Sequence, residues 1–387
     1  MGGYTLVHLY MERKMKKLLF TAICIFMLSS CSADTSMSDT GEFYQLHELD
    51  NHQDASILLC TEESIYFYEI TENEKLDNTV FTLYEQNMKD NSVRLSGTID
   101  GFYMTAGSSV LLEDGLAFTV CTKEGDELTN CLYCYTDGTL SRVYTWDSNI
   151  PMSYISRISE KELALFYPCS EARDGEEAYI YRILRVNLTE HTGEEIARFR
   201  YNITEGEGEI VPAVDYGNGL FHIFVKSVQG SGSSYSICSL DADGEKTAEY
   251  SIDLEDFLYL EPVSSYDSVY RIRRLEGGLF VLQTINSRVI IFEETDGRLV
   301  QVDAPECLRA FPEGYKIAES CGGHPGEIYF VNMFQDHLIK FDTFSGQFTE
   351  SRIEKEDDES YIKSVYINPD GRILVNMDGY FYMKKFF

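Results

Sequence analysis

The stretch "CLYCYTDGTLSRVYT", residues 131–145, carries the pattern that the rest of the chain repeats. An apolar and aromatic run leads into Asp137-Gly138, and an alternating, more polar run leads away. Arms rich in Tyr, Val, Leu and Cys suit a pleated, half-buried surface, so each arm is predicted as a strand. Asp-Gly between two such arms is the composition of a two-residue hairpin turn, whose backbone needs positive φ. The same unit returns as "RILRVNLTEHTGEEIARF" (182–199), "YSICSLDADGEKTAEYSI" (235–252), "RVIIFEETDGRLVQV" (288–302) and "HLIKFDTFSGQFTESRI" (337–353). Its turn glycines are Gly138, Gly193, Gly244, Gly297 and Gly346, spaced by 55, 51, 53 and 49 residues, a mean of 52.

A period near 50 built only of strands predicts an all-β fold, a single β-propeller with four-stranded blades. A parallel β-helix needs a much shorter repeat, and helical periodicity is nearly absent after residue 40. Residues 40–387 divided by the period give about 6.7 units, which predicts about seven blades, with six as the alternative. The C-terminal "SVYINPDGRILVNMDGYFYMKKFF" (364–387) supplies three strands, and "EFYQLHEL" (42–49) would supply the fourth and close the ring. Closure of this kind removes free sheet edges. In the six-blade alternative, the same early segment is the innermost strand of the first blade.

The opening of the chain reads differently. In "KKLLFTAICIFMLSSCSAD" (16–34), Arg13, Lys14, Lys16 and Lys17 precede an apolar run, 18–28. Eleven helical residues rise roughly 16 Å, well short of a hydrocarbon core of about 30 Å. A basic start, a short apolar core and small residues before a cysteine predict a secretory signal. Leu28-Ser29-Ser30-Cys31 resembles the bacterial lipobox, and that resemblance implies that Cys31 is acylated and becomes the first mature residue. The expected organisation is a signal peptide at 1–30, starting in truth at Met11 or Met15, a lipidated Cys31 with a polar tether at 31–41, and the propeller at 42–387. A tether of ten residues spans roughly 17 Å.

The sequence carries 32 Lys plus Arg against 64 Asp plus Glu, a net charge of -32. Phosphate binding needs a basic surface, so nucleic acid is excluded as a partner. Adhesion to anionic headgroups is excluded as well, which leaves the membrane as a partner only through the lipid. The expected address is the extracytoplasmic face of a cell membrane.

Cys131 and Cys134 form a C-x-x-C inside a strand, where odd spacing sends the two side chains to opposite faces, and no second pair completes a zinc set. Cys121 and Cys131 are candidates for a disulfide across a hairpin, against the alternative of buried thiols. "DADGE" (241–245) opens like a calcium loop but places Ile252 where the bidentate acid belongs. "GSGSSYS" (230–236) lacks the nucleophile elbow and is expected as a loop. The histidines after residue 31 show no metal-ligand spacing, and "EKEDDES" (354–360) is expected as a solvated loop. No cofactor and no catalytic pair are assigned.

The units resemble bacterial propeller lipoproteins in general. Trp146-Asp147 stands alone where a WD40 array would repeat it, and no sub-family motif is completed. Loops entering the innermost strands are a common binding position in propellers. Here "TWDSNIPMSY", "EDFLYLEPVSSYD" and "APECLRAFPEGY" offer Trp146, Tyr154, Tyr259, Tyr266, Phe311 and Tyr315 as a ligand or partner face. The leading expectation is a non-catalytic binding or scaffold module for an envelope protein or transport assembly. The alternatives are capture of a carbohydrate or small ligand in the axial funnel, and a glycan hydrolase or lyase.

Overall fold

The structure, a computed structural model, describes residues 43–73, 78–124, 127–173, 175–252, 269–274, 279–284, 289–295, 298–302, 315–317, 319–320, 327–332, 337–342, 344–353, 360–368 and 372–385. Apart from a 3-10 helix at His47–His52, these form strands and turns. The short β1 (Phe43–Gln45) precedes that helix. A first antiparallel sheet follows, of β2 (Ser56–Cys60), β3 (Ser64–Asn73), β4 (Asn78–Asn87) and β5 (Val93–Asp100). The second contains β6 (Phe102–Leu112), β7 (Gly115–Glu124), β8 (Glu127–Thr136) and β9 (Thr139–Trp146).

Eight strands in sequence order then make one sheet: β10 (Tyr154–Ser159), β11 (Glu162–Arg173), β12 (Glu176–Asn187), β13 (Thr192–Asn202), β14 (Glu207–Gly217), β15 (Leu220–Gln229), β16 (Gly232–Leu240) and β17 (Lys246–Ile252). Four-stranded sheets follow from β18 (Val269–Arg274), β19 (Leu279–Thr284), β20 (Val289–Thr295) and β21 (Arg298–Gln301), and from β22 (Tyr315–Ile317), β24 (Glu327–Asn332), β25 (His337–Asp342) and β26 (Gln347–Arg352). The last sheet joins β23 (Glu319–Ser320), β27 (Ile362–Ile367), β28 (Arg372–Met377) and β29 (Tyr380–Lys385) to β1.

This is a β-propeller, and the expected closure is present. Phe43, Tyr44 and Gln45 pair antiparallel with Lys384, Met383 and Tyr382. The early strand is therefore the outer strand of the closing sheet, not the innermost strand of the first.

The expected blade count is corrected. Among the described residues, hydrogen bonding divides the strands into five separate sheets of blade size and one of eight strands, in place of seven or six separate blades. The reason lies in the turn at 203–206, which is tight enough to carry pairing across it, Tyr201 opposite Gly208 and Asn202 opposite Glu207. A sequence period counts hairpins; it does not register whether two neighbouring units share a rung. The halves of the eight-stranded sheet are each a four-strand meander, and they pack against one another through Phe166, Ile183, Phe221 and Ile223.

Core material lies in layers between neighbouring sheets. Phe81, Phe118, Val120 and Tyr135 fill the layer between the first and second sheets. Leu132, Cys134, Trp146, Leu163 and Ile180 fill the next. Cys131 and Cys134 fall in different layers, as their odd spacing requires. The disulfide candidate is not formed. Cys131 stands opposite Val120 and Cys121 opposite Asn130, so the two thiols leave opposite faces of the sheet. Burial pushes Cys121 up to about 11 and Cys134 up to about 12, which keeps both as inert thiols.

The repeat glycines Gly138 and Gly193 are required for different reasons. Asp137 and Gly138 have φ of 52° and 74°, a two-residue turn with both residues left-handed. Gly193 is not the turn residue expected: His191 carries the positive φ of 57°, and Gly193 lies inside β13. A Cβ at Gly193 would sit 2.5 Å from the Tyr144 hydroxyl and 2.7 Å from its ring carbon, so the glycine admits the neighbouring sheet's tyrosine. Gly193→Ala is expected to cost about 1–3 kcal/mol by overpacking. In urea unfolding, Tyr144→Leu should recover part of that loss; equal losses in both backgrounds would refute the contact as its cause.

Candidate functional site

On β4, side chains at alternate positions enter the layer between the first two sheets: Phe81 and Leu83 are fully buried, and Glu85 is next in the same row. The row ends in a groove of about 790 Å³, bounded by the β2–β3, β6–β7 and β8–β9 connections and by the adjoining ends of β4 and β5. Glu85 is thus a carboxylate at the mouth of an apolar layer, only 7% exposed. A buried charge needs hydrogen-bond donors, and it has them. The Ser64 hydroxyl donates to Oε1 at 2.8 Å. Oε2 accepts from Arg94 Nε at 2.9 Å and from the Tyr135 hydroxyl at 3.1 Å. Register accounts for the arrangement, since Tyr66, Glu85 and Arg94 stand opposite one another across β3, β4 and β5.

Around this floor the groove wall carries Glu62, Glu63, Glu113, Asp114 and Asp137, with Arg94 as its cation. Lys89 reaches Glu63 from outside the lining. The Tyr66 phenol, in edge contact with Tyr135 at 5.9 Å, is pushed up to about 12 by burial first and by Glu85 second. It stays protonated and polar. None of the lining residues is a histidine, cysteine or lysine. What it offers is a concave field of negative charge, which attracts and orients cations.

The aromatic residues expected as a binding face are placed otherwise where they are described. Trp146 is buried, 5% exposed, between Tyr144 and Tyr167 at ring distances of 6.4 and 5.7 Å. Its loop is folded back on polar contacts. Asn130 donates to the Ser148 carbonyl at 2.9 Å, the Ser148 hydroxyl donates to the Pro168 carbonyl at 2.6 Å, and Asn149 accepts from the Ser170 amide at 3.1 Å. Tyr154 is half-buried and stacks on Phe166 at 6.1 Å. Trp146 is packed between sheets, whereas Tyr154 keeps part of its surface exposed. Tyr315 opens β22 opposite Asn332, with its side chain outside the described set. Cys31, Tyr259, Tyr266 and Phe311 lie outside the described residues, as do 354–359 of the acidic run.

Two other motifs resolve into structure. Asp241 Oδ1 accepts from the amides of Asp243 at 3.0 Å and Glu245 at 2.9 Å, which makes "DADGE" a side-chain-stabilised turn. "GSGSSYS" is corrected from loop to strand, because β16 already begins at Gly232.

No protein-family model and no curated protein matches the chain. Solved structures do. The β-propeller domain of the Trilobed protease from Pyrococcus furiosus, described as having an open velcro topology, aligns at 10% identity over 83% of this chain and 88% of that one, with a TM-score of 0.50. Pyrococcus horikoshii acylaminoacyl peptidase aligns at 11% identity over 83% of this chain, with a TM-score of 0.51, and the match spans 49% of the peptidase. The Cps50 (Swd1) β-propeller domain from Myceliophteria thermophila aligns at 11% identity over 86% and 100% of the two chains, with a TM-score of 0.46. At such identities the likeness is one of fold, and a propeller carries many functions.

Proposed function

We propose that this chain is a binding module that takes a Lys- or Arg-rich segment of a partner protein in the Glu85 groove, and that it works at the extracytoplasmic face of a cell membrane, held there by lipid on Cys31. The observation that carries the reading is the groove itself. Five acidic side chains wall a concavity whose floor is a carboxylate already fixed by Ser64, Arg94 and Tyr135. A preorganised floor lowers the ordering cost of binding, and the wall charges speed encounter with a basic partner. The overall charge of -32 favours the same class of partner. The scaffold role belongs with this reading: a rigid ring presenting one charged groove holds a partner without changing it. The lipobox resemblance supports the address, with residues 1–30 as the signal and 31–41 as the tether.

The test is titration of a fluorescent lysine-rich peptide, with a glutamate-rich peptide as control. Binding should weaken with salt, and Glu113→Lys with Asp114→Lys should weaken it by about ten-fold or more at low ionic strength. Equal affinity of the double variant, or binding indifferent to salt, would remove the groove from the function.

A further inference from the structure

The same turn that forms one wall of the groove is also where the ring is locked shut. Three side chains of the closing sheet reach across to the first sheet, and all three donate to backbone carbonyls. The Tyr366 hydroxyl donates to Ile57 at 3.1 Å, Asn368 Nδ2 to Thr61 at 3.0 Å, and Arg372 Nη2 to Glu62 at 2.9 Å. Sequence separations of 307 to 310 residues make these contacts possible only in a closed ring.

Both sides of this seam are stiff. The Thr61 amide donates to the Ser64 carbonyl at 2.8 Å, and the Ser64 amide donates to the Thr61 hydroxyl at 2.8 Å. The Asn368 amide donates to the Arg372 carbonyl at 2.8 Å, and Asn368 is fully buried. A displacement of Thr61 is therefore carried to Ser64, whose hydroxyl holds Glu85 Oε1. From Asn368 the contacts run through Thr61, Ser64 and Glu85 to Tyr135, across three successive sheets.

We infer that groove occupancy and ring closure are thermodynamically coupled through the turn at 61–64: a ligand seated over the Glu85 floor tightens the seam, and an opened seam loosens the groove. The inference rests on the reading of the groove as a binding site. The element whose opening the groove biases is the seam, held by the three residue pairs of β1 with β29 and these three side-chain contacts. Coupling between two sites is reciprocal, so each direction predicts the other.

The experiment is hydrogen exchange on the full chain at 43–49 and 380–385, with and without the lysine-rich peptide, in wild type, Asn368→Ala and Ser64→Ala. The peptide should slow exchange at both segments. Asn368→Ala should weaken peptide binding about five-fold, the size of one net hydrogen bond, while a thermal melt reports an intact fold. Ser64→Ala should speed exchange at the seam with no peptide present. Wild-type affinity in Asn368→Ala together with unchanged seam exchange in Ser64→Ala overturns the coupling. If the peptide fails to bind wild type, the groove reading falls, and the Ser64→Ala arm still decides the coupling.

Discussion

Leu49→Ala is expected to lower the free energy of unfolding by about 3–5 kcal/mol, the cost of a buried leucine whose surroundings collapse only partly. Leu49 is 1% exposed on the 3-10 helix between β1 and β2. It belongs to the layer that contains Phe381 and Met383 of the closing sheet and Ile57 and Phe67 of the first. Leu46 beside it is equally buried, and its amide donates to the Phe381 carbonyl at 2.8 Å. These two leucines add apolar contact to ring closure, where β1 itself contributes only three residue pairs. The substitution should therefore show twice: as a lower urea midpoint, and as protease cleavage near β1 at urea concentrations where the other sheets remain protected. Tyr44→Ala is the control, since Tyr44 is 48% exposed on the outer strand and should cost under about 0.5 kcal/mol. Similar losses for the two variants would show that closure does not depend on this packing.

The second large effect is acid sensitivity at His222. Its ring is wholly buried on β15, with Nε2 donating to the Gly217 carbonyl at 3.2 Å and Nδ1 accepting from the Ser239 hydroxyl at 2.9 Å. Phe280 stands edge-on at 5.5 Å. Burial first and Arg274 second lower its pKa from the ordinary 6.5 to about 4, against a smaller opposing pull from the Gly217 carbonyl and Glu294. Between those values the unfolded chain binds a proton that the folded chain refuses, so acid favours unfolding. The stability is full above pH 6.5 and is lost as the pH falls towards 4, a loss of about 3 kcal/mol. Carboxylates add their own slope lower in the range, so the informative quantity is a difference. His222→Gln keeps a donor and an acceptor but does not titrate. Its urea stability should change less than that of wild type between pH 7 and pH 4.5. Parallel profiles would show that His222 does not set the slope.

The repeat was legible because hairpin turns constrain residue type. Asp137-Gly138 marks its turn through backbone sterics alone, and the strand arms beside it alternate visibly. Closure by residues 43–45 was legible from the same arithmetic, since three C-terminal strands lacked a fourth. The shared rung between Tyr201 and Gly208 was not, because it depends on a turn length within the normal range for strand connections. Trp146 was not legible as buried because it stands next to a polar loop; it ends β9 opposite Asn130, and Asn130 and Ser148 draw the chain after it inward. Glu85 was hidden among 64 acids. One signal pointed to it, the two-residue period of Phe81 and Leu83 carried one step further, and its meaning became visible only with the register partners Tyr66 and Arg94.

The place of β1 has a mechanical consequence. Any force applied to the chain ahead of Phe43 enters the ring through that strand, whose three residue pairs with β29 are the first bonds to bear it. Leu46 and Leu49 come next in line. Tension on the leading segment is thus delivered to the ring's own fastening, a pairing of three residues, before it reaches any other sheet.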